Sequence, residues 1–564
     1  MDNAAVARYR QAGWWGTRSL GQLVADHATR IPTATAFVAG ADRMSWRSYS
    51  SYADEIAAVL VAAGVEPGDR VGVLLPDTAD VHAALVGTER AGLVAMGIGA
   101  RAGDAEITHL LGRSGAVALI TRAEDRGRDA EQLGRLVVAA ELPVRLHLVV
   151  GAGRVQSLRR LDAGRWREIP VECAPPELVR PRALGPDDVS MLNSTSGTTG
   201  LPKCVVQFQN RWMHFSQLAV EAGELGDDEV FLAAVPAPFG FGLWTSHFAP
   251  AMLGAPAVLL PRFDADEMAR KIAEERATVL CCVSTQFRML LASDVADRVD
   301  LSSLKVMFTG GEAVPYPDAA RFEDRTGATV LQFFGSNESG AFSYTTTRDP
   351  REKRLTTAGR MVPSMTVRLY DDEGRDITAS GGPGQPGGTG PLLSMGYYDD
   401  PAANDELYAP DGALLMGDLV TIDDSGYLTV VGRKAEIIIR GGKNISAAHV
   451  EREVEAHPDV EMAVAVGLPD EVFGERVCVV VSGSSAGGLT LPDLTAFLAG
   501  HGMTKEYLPE FLLVVDALPR SSGGKLAKGQ VRDLALAALA AGELDASAGP
   551  AVCPRPSSFP VGQP

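Results

Sequence analysis

Basic residues are scarce in this chain: 52 Lys and Arg stand against 71 Asp and Glu, for a formal net charge of −19. Nucleic acids and anionic membrane surfaces select for a Lys/Arg excess, so neither is expected as a partner. Any polyanion must be gripped by a local site rather than by the overall field. Cysteine is sparse too. Cys173, Cys204, Cys281, Cys282, Cys478 and Cys553 form no C-x-x-C pair and no metal-ligand spacing, which reads as reduced thiols in a cytoplasmic setting. The opening MDNAAVARYRQAGWW lacks the apolar core of a secretory signal. Charge is missing altogether between Val230 and Pro261, yet Pro236, Pro238, Pro250 and Pro256 interrupt that stretch. No intact apolar run of about 20 residues survives, so the stretch predicts a buried wall or an apolar pocket and no membrane span.

What is present fits a globular protein, with 46% hydrophobic and 22% charged residues, and 564 residues predict two or more domains. Helix and strand patterns alternate. SYSSYADEIAAVLVAAGV places Ile56, Val59, Leu60 and Ala63 on one helical face, followed by the strand RVGVLL, the helix TADVHAALVGTERAG and the strand LVAMGI. AVALIT, TVLCCV, LKVMFTG and ATVLQFFG continue the series. This order predicts an α/β fold with a large N-terminal domain of helix-covered, mainly parallel sheets over residues 1–432. A small α+β domain follows over 433–540, joined at about Gly432 to Ala435, and 541–564 reads as a disordered tail rich in Pro, Gly and Ser.

Ligands of such sheets bind beyond the carboxyl ends of strands. LKVMF runs into TGGEAVP and TVLQFF into GSNESG; both exits are Gly-rich and each carries a carboxylate, Glu312 and Glu338. Either is also compatible with a plain turn. The densest polar loop is TSGTTGLPK, Thr195 to Lys203. Its glycines, hydroxyls and lysine suit phosphate, because backbone N–H groups approach closely and the ammonium adds charge. A Walker A loop is excluded, since Lys203 follows Pro202 and precedes Cys204. The alternative is a solvated polar loop.

Taken in order, TSGTTGLPK, TGGEA, FFGSNE, MGDLVTIDDSGYLTVVGRK, IIIRGGKNIS and LPRSSGGKLAK resemble the AMP-forming adenylating enzymes: acyl- and aryl-CoA synthetases, stand-alone adenylation enzymes and luciferases. The resemblance spans about Leu20 to Gln530. It implies ATP, Mg2+ and CoA as reaction partners, a carboxylic acid substrate, and a small mobile C-terminal domain that swings between adenylation and thioester formation. By resemblance, Thr195, Ser196, Gly197, Thr198, Thr199, Gly200 and Lys203 cradle the phosphates, and Glu338 binds Mg2+, with Gly335 and Asn337 beside it. Gly311, Glu312 and Ala313 line the adenine with Phe334 on its face; Asp418 and Arg433 hold the ribose. Lys525 reaches the α-phosphate and serves adenylation only, and Gly441 and Gly442 belong to the thiol tunnel.

The acyl pocket corresponds to PAPFGFGLW, with Phe239, Phe241 and Trp244, closed by Gly310. Core packing is the other role open to these aromatics. No carboxylate lies within Val230–Pro261, so an amino acid substrate would leave its ammonium unpaired. An uncharged alicyclic, aryl or short to medium aliphatic acid is expected, and KCVVQFQNRW and MGIGARAGD resemble cyclohexanecarboxylate-type and related acyl-CoA ligases. The acceptor is CoA or a carrier-protein phosphopantetheine; a non-catalytic binding member of the fold is the third possibility. Four features depart from the family pattern: Ala435 at the hinge, Asn337 where Thr is usual, Cys204 where Gly is usual, and a shortened segment at GQPGGTGP.

Overall fold

A computed structural model describes residues 3–195, 202–311, 314–440, 443–470, 472–483, 486–501, 503–520 and 526–546. The chain divides into two compact units, the first ending at Val431 and the second beginning at Gly432.

Two large sheets build the first unit. In one, Thr329–Ser336, Val306–Gly310, Val279–Cys281, Phe231–Ala233, Ala257–Leu259 and Thr35–Ala39 lie side by side in parallel. In the other, Leu146–Gly151, Ala118–Thr121, Arg70–Leu74, Val94–Ile98 and Val189–Ser194 do the same. Antiparallel strands finish the edges, Gly340–Tyr344 and Asp42–Ser45 in the first sheet and Arg154–Asp162 and Cys204–Phe208 in the second. Central strands such as Val306–Gly310 and Val94–Ile98 are buried at every residue, which is why they read as continuous apolar runs rather than as alternation. The helix Trp46–Ala62 begins where the Ser45 hydroxyl accepts from the Ser48 N–H at 3.2 Å, and it buries Ile56, Val59 and Leu60 completely. The uncharged stretch 230–261 is distributed over two strands and short helices within this core. Among the described residues, no helix is long and apolar enough to cross a membrane.

The second unit is an α+β body. Met462–Asp470 and Gly474–Ser482 form a long antiparallel pair, Phe511–Val514 adds in parallel, and helices Ala447–Val454, Leu491–Gly500 and Lys528–Ala541 accompany the sheet. Lys528, at the head of its helix, is clasped between Glu436 at 2.5 Å and Glu451 at 2.9 Å.

Candidate active site

The loop from Thr195 to Lys203 is the mouth of a hairpin, joining the antiparallel strands Val189–Ser194 and Cys204–Phe208. Its ends close on each other: the Thr195 N–H donates to the Lys203 carbonyl at 3.1 Å, and the Lys203 N–H donates to Thr195 Oγ1 at 3.2 Å. Ser196, Gly197, Thr198, Thr199 and Gly200 lie outside the described residues, as do Glu312, Ala313, Gly441, Gly442 and Lys525.

Beside this mouth, Thr329–Ser336 runs into a turn held by its own serines. The Ser336 N–H donates to Ser339 Oγ at 2.9 Å, while Ser336 Oγ accepts from the N–H groups of Glu338 (3.2 Å) and Ser339 (3.1 Å). Gly335 is required at the approach, because a side chain would overlap the Gly340 carbonyl where the strand register shifts. The turn presents Glu338, 9% exposed, and its Oε1 accepts the Tyr397 hydroxyl at 2.8 Å. Lys203 Nζ stands 4.7 Å from the centroid of the same Tyr397 ring. Burial, with the Glu338 charge adding to it, pushes the Tyr397 phenol above its ordinary range and keeps it a donor.

A buried amide network ties this turn to the loop. Asn337 Nδ2 donates to the Ser194 carbonyl at 3.1 Å, and its Oδ1 accepts from Asn193 Nδ2 at 3.2 Å. Gln207 Nε2 donates to Asn193 Oδ1 at 2.8 Å and to the Asn337 carbonyl at 3.2 Å. Behind them Arg211, 1% exposed, donates to the Gln207 side-chain oxygen, to the Asn337 carbonyl at 2.8 Å and to the Leu392 carbonyl at 2.7 Å. Burial lowers its guanidinium to about 9, and the nearby Glu338 charge opposes that fall. Asn337 therefore has a structural reason: its amide donates to Ser194 and accepts from Asn193, two neighbouring residues of the strand Val189–Ser194, a reach that a shorter Thr hydroxyl lacks.

The pocket segment enters the same network at Gly240, where a methyl group would overlap Asn337 Oδ1. Phe239 and Phe241 are half-buried. Trp244 is 2% exposed, and its ring lies 5.2–5.6 Å from Phe215, Phe241, Phe308 and Phe333. It is packed into the aromatic core and backs Phe241. Gly310 ends the strand Val306–Gly310, with Gly311 next. Phe334 packs against Ala358, Leu369, Val420 and Leu428, and Asp418, 8% exposed, heads the strand that carries Val420. Arg433 belongs to the second unit, 3.8 Å from Glu436.

Thr195, Lys203, Asn337 and Glu338 thus converge, with Gly240 and the pocket segment beside them. Tyr397, Arg211, Gln207 and Asn193 belong to the same site and are absent from the sequence expectations. No local signal marks Arg211, because its helix Gln209–Gly223 also carries Gln209, Asn210, His214, Gln217 and Glu221.

Comparison with known proteins matches residues 24–398 to the AMP-binding enzyme family. The 2-hydroxy-7-methoxy-5-methyl-1-naphthoate–CoA ligase of Streptomyces carzinostaticus is 32% identical, over 93% of this chain and 95% of that protein. The salicyl-AMP ligase / salicyl-S-ArCP synthetase of Mycobacterium tuberculosis is 31% identical, over 94% of each. Among solved structures, the anthranilate CoA ligase AuaEII in complex with anthranoyl-AMP superposes with a TM-score of 0.79 at 22% identity, covering 93% of this chain and 98% of that one. With the Lys203–Tyr397–Glu338 arrangement at the loop mouth, these matches place the chain in the AMP-binding enzyme family, an enzyme of the adenylating fold that includes CoA ligases and aryl-AMP ligases.

Proposed function

We propose that this protein activates an uncharged carboxylic acid with ATP, forming an acyl-AMP and pyrophosphate, and then transfers the acyl group to the thiol of CoA. The observation that carries the reading is Glu338, a buried carboxylate gripped by Tyr397 beside Lys203 at the mouth of a Gly- and hydroxyl-rich loop. A carboxylate is a poor electrophile, because a nucleophile meets negative charge and the leaving group would be oxide. Attack of its oxygen on the α-phosphorus converts that oxide into AMP, which a thiolate can displace. The transition state gathers negative charge on the α-phosphoryl group, so catalysis consists of positioning and fixed positive charge.

In this reading Thr195 and Lys203, with Ser196 to Gly200, hold the β- and γ-phosphates. Lys525 serves the α-phosphate, and Gly311 to Ala313, Phe334, Asp418 and Arg433 take the nucleoside. Glu338 offers a hard oxygen suited to Mg2+. Among the described residues no group of three His, Cys, Asp or Glu could hold a metal. A cation at Glu338 would therefore complete its shell from phosphate oxygens and water, the habit of Mg2+, and would supply charge neutralisation there.

The acid is aryl or alicyclic by the character of Phe239 and Phe241 and by the aromatic acids in the names of the two relatives. One carboxylate does reach the pocket segment: Asp77 accepts from the Ala237 N–H at 3.2 Å. Burial lifts its carboxyl to about 8, so at neutral pH it is uncharged and offers no partner to a substrate ammonium. AMP release is measured with ATP, Mg2+ and a panel of aryl, alicyclic, aliphatic and amino acids, with and without CoA. CoA-dependent turnover with one uncharged class is expected. Pyrophosphate exchange with no CoA-dependent turnover transfers the reading to a carrier-protein acceptor, in keeping with the salicyl-S-ArCP synthetase.

A further inference from the structure

Beneath the pocket segment lies a buried cluster that adenylation chemistry leaves unused. Asp77 follows the strand Arg70–Leu74, His82 stands on the helix Ala79–Arg90, and His247 lies on the helical turn Leu243–Phe248. Their exposures are 2%, 0% and 5%. Asp77 Oδ1, which accepts from the Ala237 N–H, is 3.8 Å from His82 Nε2, and His82 Nδ1 is 3.1 Å from His247 Nδ1. The His82 ring is stacked on Phe37 at 4.4 Å and on His247 at 5.2 Å. Asp77 Oδ2 and His82 Nε2 have no hydrogen-bond partner among the described residues.

Two imidazole nitrogens 3.1 Å apart share one proton, so one ring donates and the other accepts. Asp77 and His82 face each other at 3.8 Å, in contact but beyond hydrogen-bond length. The cluster is uncharged, as its burial demands: Asp77 is lifted to about 8, His247 is lowered to about 3, and His82 is held well below its ordinary value. The neighbouring elements bring no competing charge among the described residues. Tyr49 donates its hydroxyl to the His82 carbonyl at 3.4 Å and is kept protonated by burial. Phe37 offers a ring, and Asp80 is engaged by Arg122 at 2.6 Å and by Tyr52 at 3.1 Å.

We propose that Asp77 is a positioning residue for the acyl pocket, holding Ala237 at the head of the segment that carries Phe239 and Phe241. This rests on the reading of that segment as the acyl pocket. The Ala237 N–H fixes one flank of the segment on Asp77, and the His82–His247 hydrogen bond fixes the other on the helix Ala79–Arg90. Ionising Asp77 places a negative charge behind a pocket that receives a carboxylate, and it weakens acid binding without touching the nucleotide.

The test compares Asp77→Asn, which retains an acceptor for Ala237 without the titrating charge, with Asp77→Leu, which has no acceptor. Asp77→Leu is expected to raise the KM for the acid about tenfold while the KM for ATP stays within about twofold, and Asp77→Asn to restore it. In the wild-type enzyme the acid KM climbs as pH passes about 8, whereas Asp77→Asn stays flat. A readout independent of turnover is Tm. Between the ordinary carboxyl value and about 8 the folded chain keeps a proton that the unfolded chain sheds, so rising pH costs the wild type stability in that window only. The Tm advantage of Asp77→Asn over wild type therefore widens from pH 6 to about pH 8 and levels off above it. Equal shifts in the two KM values, an alkaline climb that survives in Asp77→Asn, or a Tm gap independent of pH each overturn the proposal. A wild-type enzyme that handles every class of acid alike overturns the pocket reading instead, and the Tm arm then judges the cluster alone.

Discussion

Tyr397 and Glu338 lie 59 residues apart in sequence, and the hydroxyl of one donates to the carboxylate of the other at 2.8 Å. Tyr397 stands between the two charged groups of the loop mouth, its hydroxyl on Glu338 and its ring face under Lys203. It fixes the carboxylate rotamer without donating a second charge to it, as the metal-binding role proposed for Glu338 would require.

Tyr397→Phe isolates that hydroxyl. A hydrogen bond to a charged group is worth about 1.5–3 kcal/mol, so acyl-AMP formation is expected to slow roughly 10- to 100-fold. Thioester formation from supplied acyl-AMP does not need the triphosphate and stays near wild type. Single-turnover rates of the two half-reactions check this, and equal slowing of both contradicts the assigned role.

Gly240 and Asn337 occupy complementary volumes, since a methyl group on one overlaps the amide oxygen of the other. Gly240→Ala displaces Asn337 from Asn193 and Ser194 and is expected to raise the KM for ATP. In Gly240→Ala/Asn337→Ala the obstruction is gone. The double variant therefore loses less than the sum of the singles, with a coupling of about 1–2 kcal/mol in a double-mutant cycle on kcat/KM. Strict additivity shows that the two positions act independently.

The parts legible in the sequence share a physical cause. Parallel strands buried on both faces, such as Val306–Gly310, read as unbroken apolar runs whatever their neighbours are. Lys203 and Glu338 sit in local motifs whose chemistry is carried by a few adjacent residues. Arg211 and Asp77 were not legible in this way. Arg211 reaches Asn337 across 126 residues and Asp77 reaches Ala237 across 160, so their roles exist only once two sheets are packed together. Trp244 shows the converse limit. An aromatic in an uncharged stretch serves a pocket or a core equally well until its ring partners, Phe308 and Phe333 on two different strands, are in place.

Lys528 heads the helix Lys528–Ala541, three residues after Lys525 in sequence. Its ammonium lies between Glu436 and Glu451, and Glu451 also accepts from the Ala465 N–H at 2.9 Å. Burial lowers the lysine's pKa and the two glutamates raise it, with a net rise. Lys528→Met leaves two partly buried carboxylates facing each other and is expected to destabilise the second unit by about 3–5 kcal/mol. Hydrogen exchange of the strand Met462–Asp470 reports this loss directly. Lys528→Met/Glu436→Gln/Glu451→Gln recovers most of it, and a triple variant no more stable than the single assigns the loss to packing instead.

The role proposed for Lys525 separates the two half-reactions. It lies in the segment LPRSSGGKLAK, and its proposed contact is with an oxygen on which charge develops only while the acyl-AMP bond forms. Removing one such preorganised contact costs about 10²–10³ in rate, some 3–4 kcal/mol. The thioester step starts from acyl-AMP already made and has no use for the contact. Lys525→Ala should therefore abolish most pyrophosphate release from ATP and acid while leaving CoA attack on supplied acyl-AMP within about twofold of wild type. Parallel loss in both steps would place Lys525 in the structure of the loop rather than in the chemistry. An unchanged adenylation rate would transfer the α-phosphate role to another cation.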